Sequence, residues 1–107
     1  LLGAAGLGDI GQMFPDTDPQ WAGADSVALL AEATRRVREA GWQPGNVDAS
    51  VVTDHPKLAP VRDEMQYRLS AAVGAPVTVK GRRPEGLGAL GRGEGVACWA
   101  VAIVSRG

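Results

Sequence analysis

From Val96 to Val104 the chain carries no charged residue, and this run limits the fold more than any other. It reads as a strand over about residues 95 to 104. Val96, Cys98, Ala100, Ala102 and Val104 would fall on one side, and Ala97, Trp99, Val101 and Ile103 on the other. A strand that is apolar on both faces needs cover on both. Amphipathic helices supply one cover. Further copies of the chain are the expected second, because 107 residues offer little else.

The helices are legible upstream. Asp25 can N-cap a helix over about residues 26 to 40, with Val27, Leu30, Ala33, Val37 and Ala40 as its apolar stripe. Glu32 and Arg36 stand four apart on its polar side, and Gly41 is a natural stop. Val47 to Thr53 is rich in β-branched residues and predicts a strand, which Asp54-His55-Pro56-Lys57 breaks. Pro60 suits the first turn of a second helix, with Val61, Met65, Leu69 and Ala72 on one face and Gly74 closing it. Pro76 leads into a short strand, Val77 to Lys80, and a glycine-rich loop then precedes the last strand. The expected fold is α+β in two layers: a small β-sheet with two amphipathic helices on one face. The length fits one domain, residues 1–107.

Eleven basic against twelve acidic residues leave a net charge of -1. That excludes a broad electrostatic footprint for nucleic acid or an anionic membrane. No apolar stretch approaches the roughly 20 residues of a membrane helix. Cys98 is the only cysteine, so no internal disulfide forms and a reducing, cytoplasmic setting is expected. Within its apolar run Cys98 reads as a small buried hydrophobe. Leu1-Leu2-Gly3-Ala4-Ala5-Gly6-Leu7 reads like the tail of a helix already under way, and the chain is expected to be a fragment.

Chemistry concentrates in three segments. The first, Gly8-Asp9-Ile10-Gly11 followed by Phe14-Pro15-Asp16-Thr17-Asp18-Pro19, holds three carboxylates between glycines and prolines that oppose regular structure. Such a segment suits sugar hydroxyls or a metal-bound diphosphate, and turn formation alone accounts for the same residues. The second, Thr53 to Lys57, ends a strand on an open turn, where ligand contacts concentrate. Its His55 is the single histidine and cannot build a multi-ligand zinc site. The third, Gly81 to Gly95, carries Arg82, Arg83 and Arg92, whose guanidinium groups suit phosphate oxygens. Gly86-Leu87-Gly88-Ala89-Leu90-Gly91 matches a dinucleotide fingerprint in letters only, since a strand follows it instead of preceding it.

In order along the chain, these segments resemble the 2-C-methyl-D-erythritol 2,4-cyclodiphosphate synthase family. The matches are Asp9, Gly11, Phe14 to Asp18, Pro56-Lys57, Glu85 and Gly91-Arg92-Gly93-Glu94-Gly95. The resemblance implies contacts from Asp9, Ile10 and Gly11 to the erythritol part of the substrate, walled by Phe14, Pro15, Asp16, Thr17 and Asp18. It implies Pro56 and Lys57 for the cytidine, Glu85 for magnesium or manganese, and Arg92 near phosphate. Glu94 would line a trimer axis with Arg92. It implies zinc as well, with an Asp-x-His and a further His upstream of Leu1, so the match covers roughly the last two thirds of a family member. The implied partners are a small-molecule substrate and a homotrimer whose sheets pack around the axis. The implied reaction closes 4-diphosphocytidyl-2-C-methyl-D-erythritol 2-phosphate into the cyclodiphosphate and releases CMP, with this fragment inactive alone. Arg82, Arg83 and Pro84 stand where the family has threonines. The alternative expectation is a non-catalytic trimeric module that binds a cytidine nucleotide or an isoprenoid diphosphate.

Overall fold

The computed structural model describes residues 1–107. After a short helix α1 (Ile10–Met13) and a 3-10 turn at Pro19–Trp21 come α2 (Ser26–Glu39), β1 (Trp42–Val52) and α3 (Arg62–Val73). β2 (Val77–Arg82), a single-turn α4 (Gly88–Gly91) and β3 (Ala97–Arg106) complete the chain. The strands form one sheet in the order β2-β1-β3. β1 and β2 run parallel, joined by the α3 crossover that parallel neighbours require. β3 returns antiparallel on the other side of β1.

Helix α2 forms where its cap and stripe predict. Ala28 N–H donates to Asp25 Oδ2 at 3.1 Å, and Ala33 and Val37 are buried. Thr34 is buried too, because its hydroxyl donates to Leu30 O at 2.9 Å and leaves no unpaired group. α3 starts later than expected, at Arg62, with Pro60 in the turn before it. It closes at Gly74, whose φ of 72° is the left-handed conformation that glycine adopts without strain. The Arg38 guanidinium donates to Val73 O at 3.0 Å and so satisfies one carbonyl at that helix end.

Two apolar clusters fill the space between helices and sheet. Leu2, Phe14, Ala33 and Val37 form one, flanked by Trp21, Leu29, Trp42 and Val104. Val73, Val77 and Val79 form the other, flanked by Leu30, Val51, Leu58, Met65 and Leu69. Val37 and Val73 are closed off from solvent, each contributing roughly 1.5–3 kcal/mol of burial.

All three strands run longer than, or past, their expected bounds. β1 begins at Trp42 because Trp42 to Pro44 pair with β3 alone, and the register shifts between Pro44 and Asn46. Pro44 therefore forfeits no bond to β2, whose pairing starts at Val47. The expected irregular segment from residue 8 holds the short turn of α1, and residues 1–6 form successive turns instead of a helix.

The largest correction concerns β3. β3 lies at the sheet edge and the helices pack on β1 and β2, so most of β3 is exposed on both faces. Cys98, expected to be buried, is exposed for that reason. Trp99, Val101 and Ile103 are 63%, 75% and 62% exposed. β2, the opposite edge, is blunted: Val77 N–H donates to Ser70 Oγ and Val79 N–H to Gln66 Oε1, both at 2.9 Å.

Candidate functional site

Parallel strands place their C-terminal ends side by side, and the loops leaving them meet in a common crevice. Here β1 and β2 do so. Thr53 N–H donates to Arg82 O at 3.2 Å, extending the pairing one residue past the end of β1. The Thr53 hydroxyl donates to His55 O at 2.7 Å and tightens the turn, in which the His55–Pro56 peptide is cis. Between this turn, the start of α3 and the end of β2 lies a hollow of about 200 Å³. Asp54, Pro56, Lys57, Arg62, Arg82 and Arg83 are among its lining residues, and Leu58 and Ala59 add apolar wall.

That volume is below the roughly 300–1,000 Å³ of sites that enclose a whole drug-sized ligand. The hollow accommodates one part of a substrate. Four cationic side chains face one carboxylate there, and Asp54 is itself 3.5 Å from His55 Nε2. The expected pair Pro56 and Lys57 is thus brought together with Arg82 and Arg83. Arg62 belongs to the same lining and was not expected, since nothing local distinguishes the first residue of a helix as a ligand contact.

The acidic opening segment lies elsewhere. Gln12 N–H donates to Asp9 Oδ1 at 2.8 Å, while Gln12 Oε1 accepts from Asp9 N–H at 3.1 Å, which caps α1 at both ends of the pair. Asp18 Oδ1 accepts from Gln20 N–H at 3.0 Å. Two of the three carboxylates therefore hold turns, each with an oxygen to spare. Ile10, Gly11, Asp16 and Thr17 are exposed around them, Pro15 is half-buried, and Phe14 is buried against Trp21 with ring centres 4.8 Å apart.

Arg36 locks this segment to α2. Its guanidinium donates to Met13 O at 3.2 Å and covers Phe14, while Glu32 accepts from Arg36 Nε at 3.1 Å. Arg35 also donates to Glu32, at 2.6 Å and 2.9 Å. These hydrogen bonds, Arg35 first and then Arg36, lower the Glu32 pKa from 4.5 to about 2, and Glu32 raises that of Arg35 further above its ordinary value. Arg36 was absent from the expected site residues. The Glu32–Arg36 spacing was its only signal, and that spacing is common to solvated helix faces.

Phe14 sits with Trp42 at the beginning of β1, whereas Thr53 follows its end. A strand of this length spans roughly 35 Å at about 3.3 Å per residue, so one chain does not bring the opening segment to the hollow. Glu85 and Arg92 also lie outside the hollow's lining. Glu85 holds a positive φ of 56°, and Arg92 is ion-paired with Glu94. The glycine fingerprint letters form the single turn α4, where a Cβ at Gly91 would fall on the backbone of Gly86. No group of three or more His, Cys, Asp or Glu side chains converges to hold a metal ion. No helix is long and apolar enough to cross a membrane.

The two-layer α+β fold is shared with proteins of known kind. The chain matches the YgbB family over residues 1–105 and belongs to that family. It is 49% identical to the 2-C-methyl-D-erythritol 2,4-cyclodiphosphate synthase of Thermosynechococcus vestitus, over 100% of this chain and 68% of the relative. It is 54% identical to that of Cupriavidus pinatubonensis, over 100% of this chain and 65% of the relative. Among solved structures, a CDP-bound form of 2C-methyl-D-erythritol-2,4-cyclodiphosphate synthase superposes with a TM-score of 0.86 at 36% identity, covering 97% of this chain and 69% of that one. The bifunctional IspDF of Campylobacter jejuni gives a TM-score of 0.87 at 39% identity, over 96% of this chain and 28% of that one. The chain thus spans about two thirds of its single-function relatives and a smaller share of the bifunctional ones.

Proposed function

We propose that the chain carries the cytidine-diphosphate side of a 2-C-methyl-D-erythritol 2,4-cyclodiphosphate synthase site. The observation that carries this is the shared hollow of Pro56, Lys57, Arg82 and Arg83, in a chain whose relatives bear that name. In the reaction, an oxygen of the substrate's 2-phosphate attacks the β-phosphorus of its diphosphate. The bond from that phosphorus to the bridging oxygen breaks, and CMP leaves with the electron pair. The nucleophile belongs to the substrate, so the protein's task is to position it and to offset negative charge. Pro56 and Lys57 hold the cytidine end, and Lys57, Arg82 and Arg83 face the phosphates.

The erythritol end falls to Asp9, Ile10, Gly11, Phe14, Pro15, Asp16, Thr17 and Asp18. Because these lie at the far end of β1 from the hollow, they serve the hollow of a neighbouring copy in a homotrimer. The exposed apolar side of β3 packs around its axis, with Arg92 and Glu94 near it. Magnesium or manganese fits the single carboxylate of Glu85, since such ions bind through one or two carboxylates together with substrate phosphates. Zinc does not fit the residues here: His55 is the one histidine, and no ligand group surrounds it. The setting proposed is cytoplasmic.

The test is CMP release by the complete protein from 4-diphosphocytidyl-2-C-methyl-D-erythritol 2-phosphate with zinc and magnesium supplied. Release of CMP with formation of the cyclodiphosphate supports the assignment. A folded, metal-loaded protein that releases none overturns it.

A further inference from the structure

The acidic opening segment holds its own shape but not its own place. Its internal hydrogen bonds join residues 9–24 to one another: the Asp9–Gln12 cap, the Asp18–Gln20 turn and the backbone turns between them. Such bonds fix local curvature and leave open where Asp16 and Thr17 stand relative to the rest of the fold. Two contacts settle that. Phe14 is buried with Leu2, Ala33 and Val37, an apolar contact that holds without direction. Arg36 supplies the direction, and it is the one residue of α2 that hydrogen-bonds to the segment.

Its Nη1 donates to Met13 O at 3.2 Å and lies against Met13 Sδ, and its guanidinium carbon stands over both Phe14 and Trp21. Glu32 accepts from Arg36 Nε at 3.1 Å and so fixes the rotation of the fork from the other side. The Arg36 side chain is 28% exposed, so this charge-assisted bond is partly shielded from water. Met13 and Phe14 precede the exposed Asp16 and Thr17, and Trp21 follows them at the end of the 3-10 turn. One guanidinium therefore grips the exposed turn at both of its ends.

We propose that Arg36 is a positioning residue for the reaction: by gripping Met13, Phe14 and Trp21 it sets where Asp16 and Thr17 meet the erythritol end of the substrate. The inference rests on the assignment of this segment to the erythritol end and adds what aims it. Arg36 acts through the segment and not on the substrate. A shift of about 1 Å at a reacting end can cost about a hundredfold in rate. The cytidine-diphosphate end is held past the far end of β1, by residues with which Arg36 shares no hydrogen bond. CDP lacks the erythritol part, so loss of Arg36 separates turnover from CDP affinity.

The test is Arg36→Leu in the complete protein, which keeps much of the apolar contact and deletes the hydrogen bonds. Steady-state CMP release and calorimetric titration with CDP are measured below the unfolding midpoint of every variant. Arg36→Leu is expected to lower kcat about tenfold, with KM changed less than about threefold and CDP affinity kept within about twofold. Arg36→Lys keeps the charge and one hydrogen bond, and is expected to recover part of the loss. A role in stability alone would lower the unfolding midpoint and leave the kcat of the folded protein as it was. Unchanged kcat in Arg36→Leu overturns the inference, and so does a CDP affinity that falls in step with kcat. An unaltered protein that turns over no substrate overturns the synthase reading itself.

Discussion

Arg36 lies over Phe14, with the guanidinium carbon 4.9 Å from the ring centre, and the same guanidinium is 5.7 Å from the Trp21 ring. One helix side chain thus fixes both aromatic residues of the acidic opening segment and, through Met13 O, its backbone. Phe14 is the buried member and seats the segment against Ala33 and Val37. Phe14→Ala should cost about 3 kcal/mol or more in denaturant unfolding, the usual result of truncating a buried aromatic. Arg36→Ala should cost about 1–2 kcal/mol, since a half-buried cation over two rings and one carbonyl bond are lost together. An Arg36→Ala loss near zero would show that the segment is held by Phe14 alone.

Glu32 gives the same region a pH dependence. Its pKa falls from 4.5 to about 2 on folding, first through Arg35 and then through Arg36. A carboxyl lowered by folding contributes stability that is whole above its unfolded value. The contribution fades as pH drops from about 4.5 toward about 2. Because the group is only partly buried, added salt should shrink the effect. Stability measured against pH should therefore fall more steeply in this window for the unaltered protein than for Glu32→Gln. Parallel curves across the window would contradict the pairing.

The two sheet edges are treated differently, and this too is measurable. Gln66 and Ser70 take the outward N–H groups of Val79 and Val77, so α3 covers the edge of β2 with acceptors. Gln66→Ala should cost about 1 kcal/mol and leave the Val79 amide without its partner. Hydrogen exchange at Val79 should then quicken while Val47, bonded to Pro76 O, stays slow. Equal protection in both proteins would mean the side chain is not what shields the edge.

Local chemistry made α2 legible almost to the residue, because Asp25, the stripe from Val27 to Val37 and Gly41 all act within the helix itself. The same was true of Gly74 at the end of α3. β1 was harder: its first residues owe their extended form to the end of β3, which lies some sixty residues away in sequence. Its β-branched run revealed only the part that also pairs with β2. The period-two apolar pattern of β3 called for two covers, and it could not disclose that within one chain the strand is an exposed edge. Lys57 and Arg82 were each visible as candidates. Their convergence follows from parallel pairing of β1 with β2, which neither segment encodes alone. Asp9 and Asp18 show the opposite case, in which the turn-forming role that any Asp can take is the one found.

The last prediction concerns the uncovered face of β3. Trp99, Val101 and Ile103 alternate along the strand, and register pairs them with Ser50, Asp48 and Asn46 of β1. Asp48 is bridged to Lys80 at 3.0 Å, so the charge on this face is satisfied within the chain while the apolar stripe is uncovered. A stripe of large apolar side chains beside a polar rim is the usual mark of a surface that another protein surface covers. If copies of the chain cover it, a charge at its centre must be buried unpaired on assembly, which is costly. Val101→Lys should therefore shift the complete protein from the proposed trimer toward monomer in sedimentation, and red-shift and quench Trp99 fluorescence as that ring meets water. Tyr67→Lys, on the outer side of α3 and equally exposed, should leave the assembly unchanged. A Val101→Lys protein that sediments as the unaltered one does would rule out β3 as the surface that copies of the chain share.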